Sequence, residues 1–124
     1  MAEGIAKQYL QDCKIHSAGT KPEPVNEKAI SSMKKINIDI SKSYSKKIDL
    51  EKIDQYDLVV TLCGEANANC PNLTTSSKHI HWDIADPGIF LGTDVEIEFY
   101  FLEIRNIIED KIKQLQINID KGLI

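Results

Sequence analysis

The sequence predicts an α/β fold, with helices on both sides of a short parallel sheet in three layers. Segments with apolar residues at every third or fourth position alternate with short hydrophobic runs along the chain. The strongest run, Asp57 to Leu62 (DLVVTL), is apolar almost throughout, as expected of a parallel strand buried on both faces. The length of 124 residues suits one domain and is too short for two.

Two helices are predicted in the first part of the chain. The first begins at the first residue and has no Ser, Thr, Asp or Asn cap before it, and its apolar positions are Met1, Ile5 and Tyr9. The second is introduced by Pro22 and Pro24, with Pro24 suited to its first turn. Its predicted buried face consists of Ala29, Met33 and Ile36.

Two further helices are predicted downstream. Asp49 can cap a short helix that carries Leu50 and Ile53. The clearest helix is the last element, because its apolar residues keep a spacing of three or four throughout: Ile97, Phe101, Ile104, Ile108, Ile112 and Leu115.

Three strands are predicted in all. Besides Asp57 to Leu62, the sequence favours a short strand over Lys14 to Ser17, which Ala18 and Gly19 end. A third strand is expected over His79 to Trp82, followed by a turn at Asp86-Pro87-Gly88.

The composition excludes several classes of function. Fifteen Lys and Arg against nineteen Asp and Glu give a net charge of −4, whereas nucleic-acid binding calls for a basic face. No apolar run approaches the roughly 20 residues that span a bilayer. The opening MAEGIAKQYL also lacks the continuous apolar stretch of a signal peptide. We therefore expect a cytoplasmic protein that binds neither nucleic acid nor membrane.

The cysteines are the first candidates for chemistry. Three cysteines, Cys13, Cys63 and Cys70, are an odd number and too few for a secreted scaffold held by disulfides. In a reducing cytosol, a cysteine pair is typical of catalysis, redox activity or metal binding. Cys13 lies in the polar stretch QDCK and is predicted to be uninvolved.

Cys63 and Cys70 follow directly after the strongest strand, where α/β folds carry their ligand-binding loops. Seven residues of helix rise about 10.5 Å, but a disulfide needs Cα atoms about 4.4 to 6.8 Å apart. The pair can therefore bond only if the segment Gly64 to Asn69 (GEANAN) unwinds, and its low helix propensity favours unwinding. The simpler interpretation is a pair of unrelated buried thiols.

A zinc site is a second interpretation, because His79 and His81 lie downstream of the cysteines. The spacings C-x6-C and H-x-H differ from the usual C-x2-4-C and H-x3-5-H, so zinc is disfavoured. Alternation along a strand puts both histidines on one face, which is also compatible with simple exposure.

Three acidic or hydroxyl side chains complete the candidates. Asp86, in the turn after the last predicted strand, is typical of a turn initiator whose carboxylate accepts backbone N–H groups. If it were buried enough to hold a proton, it could instead act as a general acid. Taken alone, Glu3 and Ser17 are interpreted as solvated or capping groups.

Five stretches together resemble a known family. MAEG, HSAGT, IDIS, DLVVTLC with a second Cys seven residues on in CP, and HWDIADPG resemble the thioredoxin-coupled arsenate reductases built on the low-molecular-weight protein tyrosine phosphatase fold. The resemblance spans nearly the whole chain, and the C-x6-C pair separates the reductases from the phosphatases.

The resemblance implies a fold that the printed chain holds only in part. In that family a nucleophilic cysteine lies in a C-x5-R loop between the first strand and the first helix, upstream of MAEG. We therefore expect residues 1–124 to form a single, N-terminally truncated domain without the first central strand and without the nucleophile.

The resemblance also implies roles for three of the candidate residues. Asp86 matches the general acid that protonates the oxygen leaving arsenate. Cys63 matches the second thiol, which releases arsenite, and Cys70 matches the third, which leaves a Cys63–Cys70 disulfide for thioredoxin to reduce. The alternatives are an inactive thiol-redox or binding module, and a phosphatase relative in which the paired cysteines have no role.

No cofactor is expected to be required. Some family members bind a potassium ion, and Glu3 and Ser17 match two of its ligand positions. The next acidic ligand position holds Lys46, whose ammonium can replace a cation electrostatically, so the resemblance argues against potassium dependence.

Overall fold

The computed structural model describes residues 1–19, 23–62 and 75–124. These residues form helices and parallel strands, which confirms the predicted α/β class. In chain order the elements are α1 (Ala2–Tyr9), α2 (Glu27–Lys34), a 3-10 turn at Ile53–Gln55, β1 (Leu58–Leu62), β2 (Lys78–Trp82), a 3-10 turn at Pro87–Ile89 and α3 (Asp94–Asp120). The segment Gly64 to Asn69, whose unwinding the cysteine pair would require, lies outside the described residues.

The sheet in this part of the chain consists of β1 and β2, paired in parallel. Leu58 lies opposite Lys78, and Leu62 lies opposite Trp82. Both strands agree with the sequence prediction to within one residue. Leu58 and Ile80 pack against the core, while the alternate positions His79 and His81 of β2 are exposed.

The predicted strand over Lys14 to Ser17 is wrong for this structure. Its residues lead only to an isolated parallel bridge between Gly19 and Lys47, in which the Gly19 N–H donates to the Lys46 carbonyl over 2.8 Å. Ile15 is the single apolar residue of the segment, and within the described residues no neighbouring strand supplies the ladder that a strand requires. The described part of the chain therefore holds two strands rather than three.

Helix α3 provides most of the core. Thr93 caps it in a capping box with Glu96, each side chain accepting the other residue's backbone N–H over 3.2 Å. The predicted apolar stripe is confirmed, with Ile97 half-buried and the remaining five residues buried: Phe101, Ile104, Ile108, Ile112 and Leu115. Both α1 and α2 contact this helix.

Helix α2 is shorter than predicted at both ends. Asn26, not a proline, caps its start and accepts the Lys28 N–H over 2.8 Å. The helix ends at Lys34, and Asn37, three residues further on, adopts the left-handed region with φ of 62°. Ile36 therefore lies in the turn between them and not in the helix. Ala29 and Met33 are buried as predicted, whereas Ile36 is half-buried in the turn beyond the helix.

The short helix expected after Asp49 is also different. Asp49 does cap a turn, because its Oδ1 accepts the Glu51 N–H over 3.0 Å. The following residues form only the 3-10 turn at Ile53–Gln55. Ile53 is buried but Leu50 is exposed, and one buried side chain is too little to offset the cost of nucleating an α-helix.

Two further contacts fix the helices. Arg105, the only arginine of the sequence, donates from Nη1 to the Ser32 carbonyl over 2.8 Å and so joins α3 to α2. Gly4 lets α1 approach the chain beyond α2, since a Cβ there would lie 3.0 Å from Cγ2 of Ile40. In the described part of the chain, no helix is both long and apolar enough to span a bilayer.

Candidate active site at the carboxyl edge of the sheet

A cavity of about 190 Å³ lies at the carboxyl ends of the two parallel strands. Leu62, the last residue of β1, and Asp86, in the loop after β2, both line it. The start of α1 supplies Met1 and Ala2, and the buried face of α3 supplies Ile104 and Ile108. Ile84, in the loop after β2, also lines the cavity. Open α/β sheets bind their ligands at this edge, so the cavity is the candidate active site.

Asp86 has a clear structural role in this loop. Its Oδ1 accepts the Gly88 N–H over 2.8 Å and caps the turn at Pro87–Ile89. The contact is the one that the turn-initiator interpretation predicts. Asp86 is exposed, so the burial that a general acid would need is not present in this state of the loop. Its role as an acid stays a prediction.

The two cysteines of the predicted relay, Cys63 and Cys70, lie outside the described residues. Cys63 follows Leu62 directly in the sequence, and Leu62 lines the cavity. Cys13 is exposed in the turn after α1, where its N–H donates to the Leu10 carbonyl over 3.0 Å.

Glu3 is the centre of a polar cluster beside a second cavity of about 260 Å³. The Ser17 hydroxyl donates to Oε2 of Glu3. Two ammonium groups lie nearby: Nζ of Lys7 is 3.2 Å from Oε1, and Nζ of Lys46 is 3.8 Å from Oε2. The structure thus brings together Glu3, Ser17 and Lys46, the three residues that the sequence linked to a cation site.

Local structure explains this arrangement. A spacing of four residues on α1 puts Glu3 and Lys7 on the same face of the helix. The Gly19–Lys47 bridge holds the segment after Ser17 against the segment that carries Lys46. Sequence reasoning missed Lys7, although the E-x3-K spacing was a usable signal.

The electrostatics of Glu3 follow from these contacts. Burial, which leaves its side chain 16% exposed, opposes ionisation. The hydrogen bonds from Ser17 and Lys7, together with the positive charges of Lys46 and Lys7, outweigh that effect and lower the pKa of Glu3 below its ordinary value. The carboxylate is therefore charged at neutral pH and already balanced by protein cations.

Groups of the protein itself already contact the Glu3 carboxylate on both oxygens. The Ser17 hydroxyl binds Glu3 directly, and two ammonium groups already neutralise the carboxylate. Across residues 1–19, 23–62 and 75–124, no group of three or more His, Cys, Asp and Glu side chains is arranged to hold a metal ion.

The histidines of β2 form a second polar cluster. Thr61 is buried beside them, and its hydroxyl lies 3.0 Å from Nε2 of His79 and 2.7 Å from Nδ1 of His81. This confirms that the two histidines share a face of the sheet. Sequence reasoning missed Thr61, because only the pairing of β1 with β2 shows that it lies opposite His81.

Comparison with known proteins defines the class. The family model "Low molecular weight phosphotyrosine protein phosphatase" matches residues 1–123. An arsenate reductase of Bacillus subtilis is 42% identical over 115 residues, which cover 92% of this chain and 83% of that protein. An arsenate reductase of Staphylococcus aureus is 50% identical over 88 residues, covering 70% and 67%.

A solved structure described as an arsenate reductase in oxidized state superimposes with a TM-score of 0.72 and 29% identity, covering 95% of this chain and 86% of that one. The chain therefore belongs to the low molecular weight phosphotyrosine protein phosphatase family and, within it, to the arsenate reductases.

The lowered pKa of Glu3 predicts a pH dependence of stability. A carboxyl group whose pKa is lower in the folded state stabilises the fold above its unfolded pKa, near 4.5. This stabilisation is lost as the pH falls through the lower folded value. The free energy of unfolding, measured with urea between pH 7 and pH 3, should therefore fall less steeply below pH 5 in Glu3→Gln than in the parent protein.

Glu103→Gln, which removes an exposed carboxylate on α3, is the matched control and should keep the parental profile. If Glu3→Gln and the parent lose stability in parallel on acidification, the pKa of Glu3 is not lowered by folding, and the prediction is wrong.

Proposed function

We propose that this chain takes part in the reduction of arsenate to arsenite, as the second half of a cysteine relay that thioredoxin regenerates. The observation that carries the proposal is the cavity at the carboxyl edge of the sheet. It has Asp86 on its wall and Leu62, the residue immediately before Cys63, on another part of the same wall.

The overall chemistry requires two electrons. Arsenate gives up one oxygen as water and becomes arsenite, while two thiols become a disulfide. In the first step a nucleophilic thiol displaces an arsenate oxygen, and Asp86 is the residue proposed to donate the proton to that leaving oxygen. The start of α1, represented by Met1 and Ala2, borders the cavity, and the positive end of a helix dipole favours an oxyanion there.

No C-x5-R motif occurs within the 124 residues. The one arginine, Arg105, donates to the Ser32 carbonyl at the contact of α2 and α3, so it is engaged away from the proposed arsenate position. We therefore assign to Cys63 and Cys70 the steps that follow attack on arsenate.

In those steps, the Cys63 thiolate attacks the sulfur that carries arsenic. A disulfide forms, the arsenic–sulfur bond breaks, and its electron pair leaves with arsenic, which departs as arsenite. The Cys70 thiolate then attacks Cys63, releases the first thiol and leaves the Cys63–Cys70 disulfide. Two thiols of thioredoxin reduce this bond and are themselves oxidised to a disulfide.

We also propose that this relay needs no potassium ion. Lys46 places an ammonium 3.8 Å from Glu3 Oε2 and 4.8 Å from the centre of the Tyr44 ring, so both a carboxylate and an aromatic face hold it. Its positive charge lies where a monovalent cation would otherwise balance Glu3.

Thioredoxin coupling is tested with the oxidised chain. After mild oxidation and removal of the oxidant, thioredoxin, thioredoxin reductase and NADPH should consume about one NADPH per chain, because one disulfide takes up two electrons. Cys63→Ser and Cys70→Ser should each abolish this consumption. Cys13→Ser should leave it unchanged.

Equal NADPH consumption by all three variants would refute the assignment of the relay. Absence of consumption by the parent chain would instead favour the interpretation of Cys63 and Cys70 as two unrelated buried thiols.

The role of Lys46 is tested by thermal unfolding in KCl and NaCl of equal concentration. The parent should have the same melting temperature in both salts. Lys46→Asp, which places a carboxylate beside Glu3, should make the melting temperature higher in KCl than in NaCl. Lys47→Asp, a charge change of equal size one residue away, should show no such difference. A potassium-specific stabilisation of the parent would contradict the proposal.

A further inference from the structure

The exposed face of the β1–β2 pair carries a histidine cluster that the proposed relay does not use. In the parallel register Thr61 lies opposite His81, and His79 precedes His81 by two residues on the same face. Both histidines are exposed, while Thr61 between them is buried. The two imidazoles are therefore open to solvent, and both contact the buried Thr61.

The geometry of this cluster is convergent. Nε2 of His79 and Nδ1 of His81 point at the same hydroxyl, from 3.0 Å and 2.7 Å. A hydroxyl has one proton, so it can donate to only one of the two nitrogens, and the other imidazole must present an N–H to it. Two ring nitrogens from one strand thus meet at one hydroxyl, which donates to one nitrogen and accepts the N–H of the other.

We propose that His79 and His81 form an open binding site for a divalent transition-metal ion that prefers imidazole, such as Ni²⁺ or Zn²⁺. Zinc binds imidazole nitrogen at about 2.0 to 2.1 Å. The two ring nitrogens already approach a common point, because each lies within 3.0 Å of the Thr61 hydroxyl. The Thr61 hydroxyl is then free to bind a water molecule on the metal.

This site differs from the zinc site that the sequence spacing disfavours. The spacing argument applies to a closed site of four protein ligands that includes the cysteines. Here the protein supplies two nitrogens, and solvent completes the coordination. In the described part of the chain no third Cys, His, Asp or Glu joins the pair, which agrees with an open site.

The probe is Ni²⁺ alone, titrated at neutral pH into the intact, reduced chain while the imidazole proton signals are followed by NMR. Paramagnetic Ni²⁺ should broaden the His79 and His81 signals together and saturably, at lower concentration than those of His16. His16 is the one other histidine of the sequence and is also exposed. Its ring lies edge-on to the Tyr56 ring, with 5.7 Å between the centroids.

Two variants and one control decide the assignment. His79→Gln should raise the Ni²⁺ concentration needed to broaden His81 by about tenfold or more, and His81→Gln should do the same for His79, because each removes one of two ligands. His16→Gln should leave the titration unchanged. Acidification should weaken binding, since protons compete for the imidazole nitrogens.

Simultaneous broadening of all three histidines would overturn the proposal, as would an unchanged response of the remaining imidazole in either variant. Broadening that does not saturate would also overturn it. Both substituted positions are exposed, and amide spectra of the metal-free variants verify that the fold is kept.

Discussion

The burial of one face of α3 is the constraint on which the rest of this structure depends. The helix runs from Asp94 to Asp120, and its apolar stripe faces α1 and α2. Ile104 and Ile108 belong to the core and also line the cavity at the sheet edge. The candidate active site is therefore built directly on the core and shares its rigidity.

The same helix positions the loop that carries Asp86. The turn at Pro87–Ile89 contacts α3, and the Phe90 ring packs on the Tyr100 ring with centroids 4.5 Å apart. The capping box at Thr93 fixes where α3 begins. Asp86 is thus placed by packing on its downstream side, while its own carboxylate folds the turn through Gly88.

Glu3 has a comparable role beside the second cavity. It joins α1 to the segments around Ser17 and Lys46, which the Gly19–Lys47 bridge also holds together. Since burial alone would disfavour a charged Glu3, the hydroxyl and the two ammonium groups are what allow a carboxylate there. The cluster thus links three separate segments of the chain by charge and hydrogen bonds.

The sequence predicted the elements whose pattern is long or strongly apolar. The stripe of α3 and the run DLVVTL fall within a residue or two of their predicted positions, because burial of many side chains leaves few alternatives. The prediction of a strand over Lys14 to Ser17 was wrong. The segment has one apolar residue, Ile15, and no paired neighbouring strand among the described residues. The prediction that Ile36 belongs to the buried face of α2 was wrong, because Asn37 adopts a left-handed conformation that the spacing of apolar residues does not reveal.

The candidate site was predictable in part. Glu3, Ser17 and Lys46 were linked by resemblance, and the structure brings them together, but the direct contact of Ser17 with Glu3 depends on a bridge between distant segments. The convergence of His79 and His81 on Thr61 required the strand register, which a single sequence does not specify.

The central claim is that Cys63 and Cys70 form one disulfide, and peptide mapping after mild oxidation tests it most directly. No lysine or arginine lies between Lys52 and Lys78, so trypsin leaves both cysteines in the single peptide 53–78, and Cys13 in the peptide 8–14. After alkylation of the oxidised chain, the account predicts that peptide 53–78 is unalkylated and lighter by two hydrogens, with Cys13 alkylated. A cross-link between the two peptides, or alkylation of both cysteines in 53–78, would contradict it.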